Sequence, residues 1–184
     1  MKLRPLRGGF FLLFVFLPSA YGQADDVQFG NEAAFLDRHN NYRSFEAIVD
    51  DGVHPTSSNM QCLTWDLDLA TNAALWAFNC ILGNDPTTSD GQNIGVTNST
   101  TAVGNEESVV DFWWGERADH TYGNGIYDGG ATCTRTCNQY TQLVWAATTT
   151  VGCAVASCPD GVLRDDGSVA TTGQSYLITC NYAT

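Results

Sequence analysis

Glu116 and His120 stand four residues apart in FWWGERADH, a spacing that sets an acid and an imidazole on one side of a helix if the helix runs that far. Together they would form a two-ligand metal site, which is weak, or simply a solvated pair at a helix end. Cys133 and Cys137 have the C-x3-C spacing of a metal clip, but no His or second cysteine pair is near enough in sequence to complete it. His39 lies beside Asn40 and Arg43, the setting of a packed, hydrogen-bonded imidazole, and His54 precedes Pro55 in a loop with no visible partner. The stretch TCNQYTQLVWAATTTVGCA, residues 136–154, runs from the amides and hydroxyls of Asn138, Gln139, Tyr140, Thr141 and Gln142 into Leu143, Val144 and Trp145. Read as a strand, it is either the floor of an active site whose acid-base groups lie elsewhere or a floor with no chemistry above it. The sequence has no GxSxG elbow, HExxH helix or Walker loop.

Positioning these groups falls to three helices and a set of strands. Leu36, His39, Asn40 and Arg43 sit at helical spacing in a first helix that ends before DDGVHPTSSN. After Asp66, the residues Leu69, Ala73, Trp76, Ala77 and Cys80 make one apolar stripe of a second helix. A third helix, 107–117, gathers Val109, Val110, Phe112, Trp113 and Trp114. The period then changes: runs at 142–146, 151–155 and 176–182 read as strands, with Asp-Gly turn signals at 160–161 and 166–167. Helices first and strands last predict an α+β fold with helices on an antiparallel sheet.

Composition narrows the function classes. Lys2, Arg4 and Arg7 precede the apolar run 10–17, and small residues follow, which reads as a signal peptide over 1–22 and a single domain over 23–184. Cleavage there removes three of the 8 basic residues, including the only lysine, and none of the 20 acidic ones. Such a chain has no Schiff-base lysine and is repelled by nucleic acid and anionic membranes. The apolar run is too short to span a bilayer, and no later stretch is long enough. All seven cysteines follow the signal peptide, so an exported chain would hold a disulfide framework with one thiol left over. Asn98 in NST is a glycosylation sequon.

Several blocks occur in one order: HNNYR at 39–43, NMQCLTWD at 59–66, WAFNC at 76–80, GQNIG at 91–95, FWWGE at 112–116, NQYTQLVW at 138–145, VGCA at 151–154 and YLITCNY at 176–182. In that order they resemble the CAP superfamily of cysteine-rich secretory proteins, venom antigens and plant pathogenesis-related proteins, also called the SCP domain. The resemblance covers about 33–182 and implies a disulfide-stapled three-layer α-β-α sandwich with a central antiparallel sheet. It also implies a cleft with two His and two Glu able to bind a divalent metal. At the four matching positions this chain has Asn84, Gln92, Glu116 and Gln139. Carboxamides keep hydrogen-bonding capacity but carry no charge and transfer no proton near neutrality, so no metal, no cofactor and no catalytic residue are expected.

The same resemblance implies bridges Cys80–Cys158 and Cys153–Cys180; Cys133 with Cys137 would then close a small loop and leave Cys62 odd. In several relatives a loop ahead of this last amide-rich block binds sterols or other lipids. Here it reads HTYGNGIYDGG, where Tyr122, Ile126 and Tyr127 would either close over an apolar ligand or merely cover the sheet. The expected function is a secreted, non-enzymatic binding module for a sterol, lipid or receptor protein. The alternative is a metal-dependent hydrolase built around Glu116. The family's glycine-containing tail after CNY is missing from this sequence, which stops at Thr184.

Overall fold

The computed structural model describes residues 24, 26–98, 106–122 and 132–184; the signal segment, Ile126 and Tyr127 lie outside the described residues. In chain order the elements are β1 Asp26–Phe29, α1 Glu32–Ile48, β2 Thr64–Trp65, α2 Leu67–Ala77, β3 Ile81–Leu82, β4 Gly91–Thr97 and α3 Glu106–Gly115. A 3-10 turn, Glu116–Asp119, leads to β5 His120–Thr121, β6 Thr132–Cys133, α4 Asn138–Leu143, β7 Thr150–Cys158, β8 Gly161–Arg164, β9 Val169–Thr172 and β10 Ser175–Ala183.

The central sheet runs β1-β7-β10-β4, antiparallel throughout, with β2 added in parallel against β7. Both faces are covered. Phe35 of α1, Val110 and Trp113 of α3 and Leu143 of α4 pack on Val151, Cys153, Val155, Ile178, Cys180 and Tyr182. On the other face Ala77 of α2 joins Ile94, Ala156, Val162 and Leu177. The alternation of β7 and β10 divides their side chains between these two cores, and the result is an α-β-α sandwich.

The second helix forms over the stripe from Leu69 to Ala77 but ends there, leaving Cys80 beyond it at φ 52°; it is opened by Asp66, whose carboxylate accepts the backbone N–H groups of Asp68 and Leu69 at 2.9 and 3.0 Å. The first helix buries Phe35, His39, Arg43 and Glu46. Three of those four are polar, so its inward stripe cannot be recognised by hydrophobicity. The bridges Cys80–Cys158, Cys133–Cys137 and Cys153–Cys180 are present, and Cys62 is an exposed free thiol. Cys153 and Cys180 face each other in register on neighbouring strands.

Two expectations are overturned. Residues 138–143 form the helix α4, not a strand, and Val144 and Trp145 follow it outside any strand. Tyr140 and Leu143, three apart, turn to the core, and tertiary caps outweigh the strand preference of the run. The third helix changes to a 3-10 turn at Glu116. His120 is therefore in β5, and the two residues do not share a helical face.

Candidate functional site: an amide-lined cleft

A six-residue helix has almost no stability of its own, because nucleation costs more than so few hydrogen bonds return. α4 is held from both ends. At its start the Glu116 carboxylate accepts the backbone N–H groups of Gln139 (2.9 Å) and Tyr140 (3.2 Å). At its end Arg43 Nη1 donates to the carbonyls of Leu143 (3.1 Å) and Trp145 (2.9 Å). An anion at the N-terminus and a cation at the C-terminus also match the helix dipole. Burial pushes the Glu116 pKa up, while the two backbone N–H groups and the nearby Asp119 act on it in opposite directions.

Gln139 sits beside β4, the free edge of the sheet. Its side-chain Oε1 accepts Ile94 N–H (3.3 Å) and its Nε2 donates to Ile94 C=O (3.4 Å), so one carboxamide meets both exposed backbone groups as a neighbouring strand would. Asn93 reaches the Gln139 carbonyl at 2.9 Å. Gln92 is buried, accepts Asp85 N–H at 2.7 Å and donates to Asn181 Oδ1 at 2.8 Å. Asn84 is exposed, and its neighbour Asp85 makes the contact to Gln92.

This donor set does not suit a dication. Two neutral carboxamides are engaged by backbone or another amide, the one carboxylate caps a helix, and the fourth position faces solvent. Among the described residues no group of three or more His, Cys, Asp or Glu side chains is placed to hold a metal ion. A hollow of about 280 Å³ opens instead past Gly91, bordered by Asp90, Gln142, Trp145, Thr148 and Tyr182. Tyr122 is exposed after β5, close to His120.

His39 of α1 is fully buried. Its Nδ1 donates to the Phe35 carbonyl (2.7 Å) and its Nε2 accepts the Tyr182 hydroxyl (2.8 Å). Burial lowers its pKa from 6.5 to about 4, against the Phe35 carbonyl, which favours the proton, and with Arg43, which repels it. The folded value lies below the unfolded one, so this stabilisation is complete above pH 6.5 and is lost as pH falls towards 4. The difference is about 3 kcal/mol. Urea unfolding at pH 7 and pH 4 should show that loss in the wild type and a flatter dependence in His39→Phe. Equal slopes in the two proteins would contradict it.

Sequence reasoning located Arg43 in a motif but not its four backbone carbonyl partners, and it missed a packed cluster of Glu46, His54, Arg117, His120 and Tyr140. These groups come from segments distant in sequence, and no local pattern joins them.

Known proteins agree with this architecture. The profile described as the cysteine-rich secretory protein family, CAP, matches residues 36–182. Peptidase inhibitor R3HDML of Mus musculus is 32% identical over 161 residues, covering 82% of this chain and 57% of the relative. Human cysteine-rich secretory protein 2 is 31% identical over 164 residues, covering 82% of this chain and 62% of the relative. The chain thus spans less than two thirds of the length of these relatives. Among solved structures, NaASP2 with Zn2+ has a TM-score of 0.62 at 22% identity, over 87% of this chain and 83% of that one, a likeness of fold. Venom allergen-like protein 4 of Schistosoma mansoni has 0.58 at 25% identity, over 83% and 86%. With its seven-cysteine sequence, its α-β-α sandwich and a profile match over most of its length, the chain belongs to the CAP family of cysteine-rich secretory proteins.

Proposed function

We propose that this protein is a secreted, non-enzymatic binding module, with a cleft that holds contacts but neither a cation nor an acid-base pair. The observation that carries the reading is the engagement of Glu116, the only ionisable side chain at the four cleft positions, by the backbone N–H groups of α4. A carboxylate so used finds no second ionisable group at the other three positions, Asn84, Gln92 and Gln139, to share acid-base work. Export follows from the N-terminal signal pattern and accords with the extracellular character of the family. Among the described residues no helix is long and apolar enough to cross a membrane.

The ligand class is an apolar molecule such as a sterol, taken by the loop that begins at Tyr122 and includes Ile126 and Tyr127. Exposure of Tyr122 supports this: about half its surface is open, offering a ring with a polar tip. A sterol titration with the secreted protein should saturate, and replacing Tyr122 and Tyr127 with alanine should weaken binding at least about tenfold, the equivalent of one buried aromatic contact. Absence of saturable binding in the wild type would remove the lipid reading and leave a receptor protein as the ligand class.

A further inference from the structure

His54 and His120 belong to segments 66 residues apart and have no place in the cleft, yet their rings pack against each other. Their centroids are 5.6 Å apart with planes at 22°. Both are more than nine-tenths buried. The pair is wedged against Tyr140, whose ring centroid is 6.0 Å from His54 and 5.2 Å from His120. His54 Nδ1 faces Asp51 Oδ2 at 3.3 Å, the separation of a weak hydrogen bond. His54 Nε2 and His120 Nδ1 are both buried and have no hydrogen-bond partner among the described residues.

A neutral imidazole tolerates such a setting at modest cost, but an imidazolium with an unpaired N–H in the same place does not. We infer that the His54–His120 contact is an acid-sensitive latch, closed when the His120 ring is neutral, that fastens the turn after α1 to the β5–β6 hairpin. The inference is independent of the sterol reading. The hairpin is otherwise tied by its own short ladder, by Thr134 N–H to Asp119 C=O at 2.9 Å, by an exposed Arg135–Asp119 pair at 3.1 Å and by the Cys133–Cys137 bridge. None of these reaches the turn that carries His54.

The charged and titratable groups around the pair set its sign. From α1, Glu46 faces it, paired with Arg117 and accepting the Tyr140 hydroxyl at 3.1 Å. From the 3-10 turn, Arg117 also holds Asp51 at 2.8 Å. Tyr122 completes the surroundings, its ring 6.1 Å from His120. The two carboxylates are thus largely taken up by Arg117, and a protonated His120 would add a second cation beside it. In accord, burial lowers the His120 pKa below its usual value, with His54 and Arg117 adding to the effect and Glu46 opposing it. The closed form therefore prefers the neutral ring, the open form takes the proton near pH 6.5, and opening grows as pH falls through that window, by about tenfold per pH unit for one proton.

The test is amide hydrogen exchange on the whole secreted protein at pH 7 and pH 5, with rates divided by the intrinsic rate at each pH. Protection of 120–121 and 132–134 should drop about tenfold or more at pH 5, β7 and β10 should lose only what the His39-linked fall in global stability removes, and His120→Gln should abolish the drop in the hairpin while leaving that of the sheet. An unchanged hairpin, or an equal hairpin drop in His120→Gln, would each overturn the latch. NMR titration of the imidazoles in the wild type gives a reading that needs no variant. His120 should titrate below the usual histidine value. Titration at the ordinary histidine value would overturn the latch as well.

Discussion

Replacing Arg43 with leucine should cost about 4 kcal/mol, near the top of what one substitution does. The side chain is 1% exposed, and its guanidinium donates to four backbone carbonyls: Gln61 from Nε at 2.8 Å, Leu143 and Trp145 from Nη1, and Thr148 from Nη2 at 3.1 Å. Two effects compete. Burying a cation without a carboxylate is costly, and burial does lower the Arg43 pKa; leucine would relieve that cost. Yet leucine leaves the carbonyls of Gln61, Leu143 and Thr148 without their donor, the last two in a closed interior, while Trp145 C=O keeps Thr148 N–H at 3.1 Å. Each such loss amounts to about 1 to 3 kcal/mol, so the three together outweigh the relief. Lysine should recover less than half of the loss, because a single ammonium cannot reach both Gln61 and Thr148 as the planar fork does. Chemical unfolding followed by tryptophan fluorescence measures this, and a change under 1 kcal/mol in Arg43→Leu would show that the four bonds hold little.

The second large effect is expected at Gly152, where alanine should destabilise by about 3 kcal/mol although its backbone suits any residue. A Cβ there would lie 2.1 Å from Ala70 N, 2.4 Å from Asp66 O and 2.7 Å from Leu69 C. All three are backbone atoms at the start of α2, so no rotamer change can make room. The helix must lift off β7, straining the bond from Asp66 N–H to Val151 C=O at 2.9 Å. Reduced freedom of the unfolded chain favours alanine by only about 0.4 to 1 kcal/mol, too little to offset the clash. Gly91→Ala is the control: the atoms nearest its Cβ would be the end of the Gln142 side chain, which can swing away. Thermal unfolding of both variants should put Gly152→Ala well below Gly91→Ala, and equal midpoints would refute the close approach of α2 to the sheet.

These two residues also mark how much the sequence discloses. The stripe from Leu69 to Cys80 predicts α2 because its periodicity is local and apolar. The ordered blocks single out Gln92, Glu116 and Gln139 as substituted motif positions because substitution within a motif is visible residue by residue. α4 is not legible in this way. Its six residues carry a β-like composition, and the groups that make them helical arrive from 23 residues upstream at Glu116 and about 100 at Arg43. The partners of Glu116 likewise escape a sequence reading, since they are backbone N–H groups whose positions exist only once the helix does. His54 and His120 look like isolated loop and helix-end residues until the β5–β6 hairpin folds back on the turn after α1.

The claim on which the account rests is that carboxamides and a helix-capping glutamate have replaced a metal-binding set. Zinc calorimetry on the mature protein at neutral pH tests it most directly. The account predicts no saturable one-site binding up to about millimolar zinc, corresponding to less than about 4 kcal/mol. A tight one-site isotherm that disappears in Glu116→Gln would contradict it.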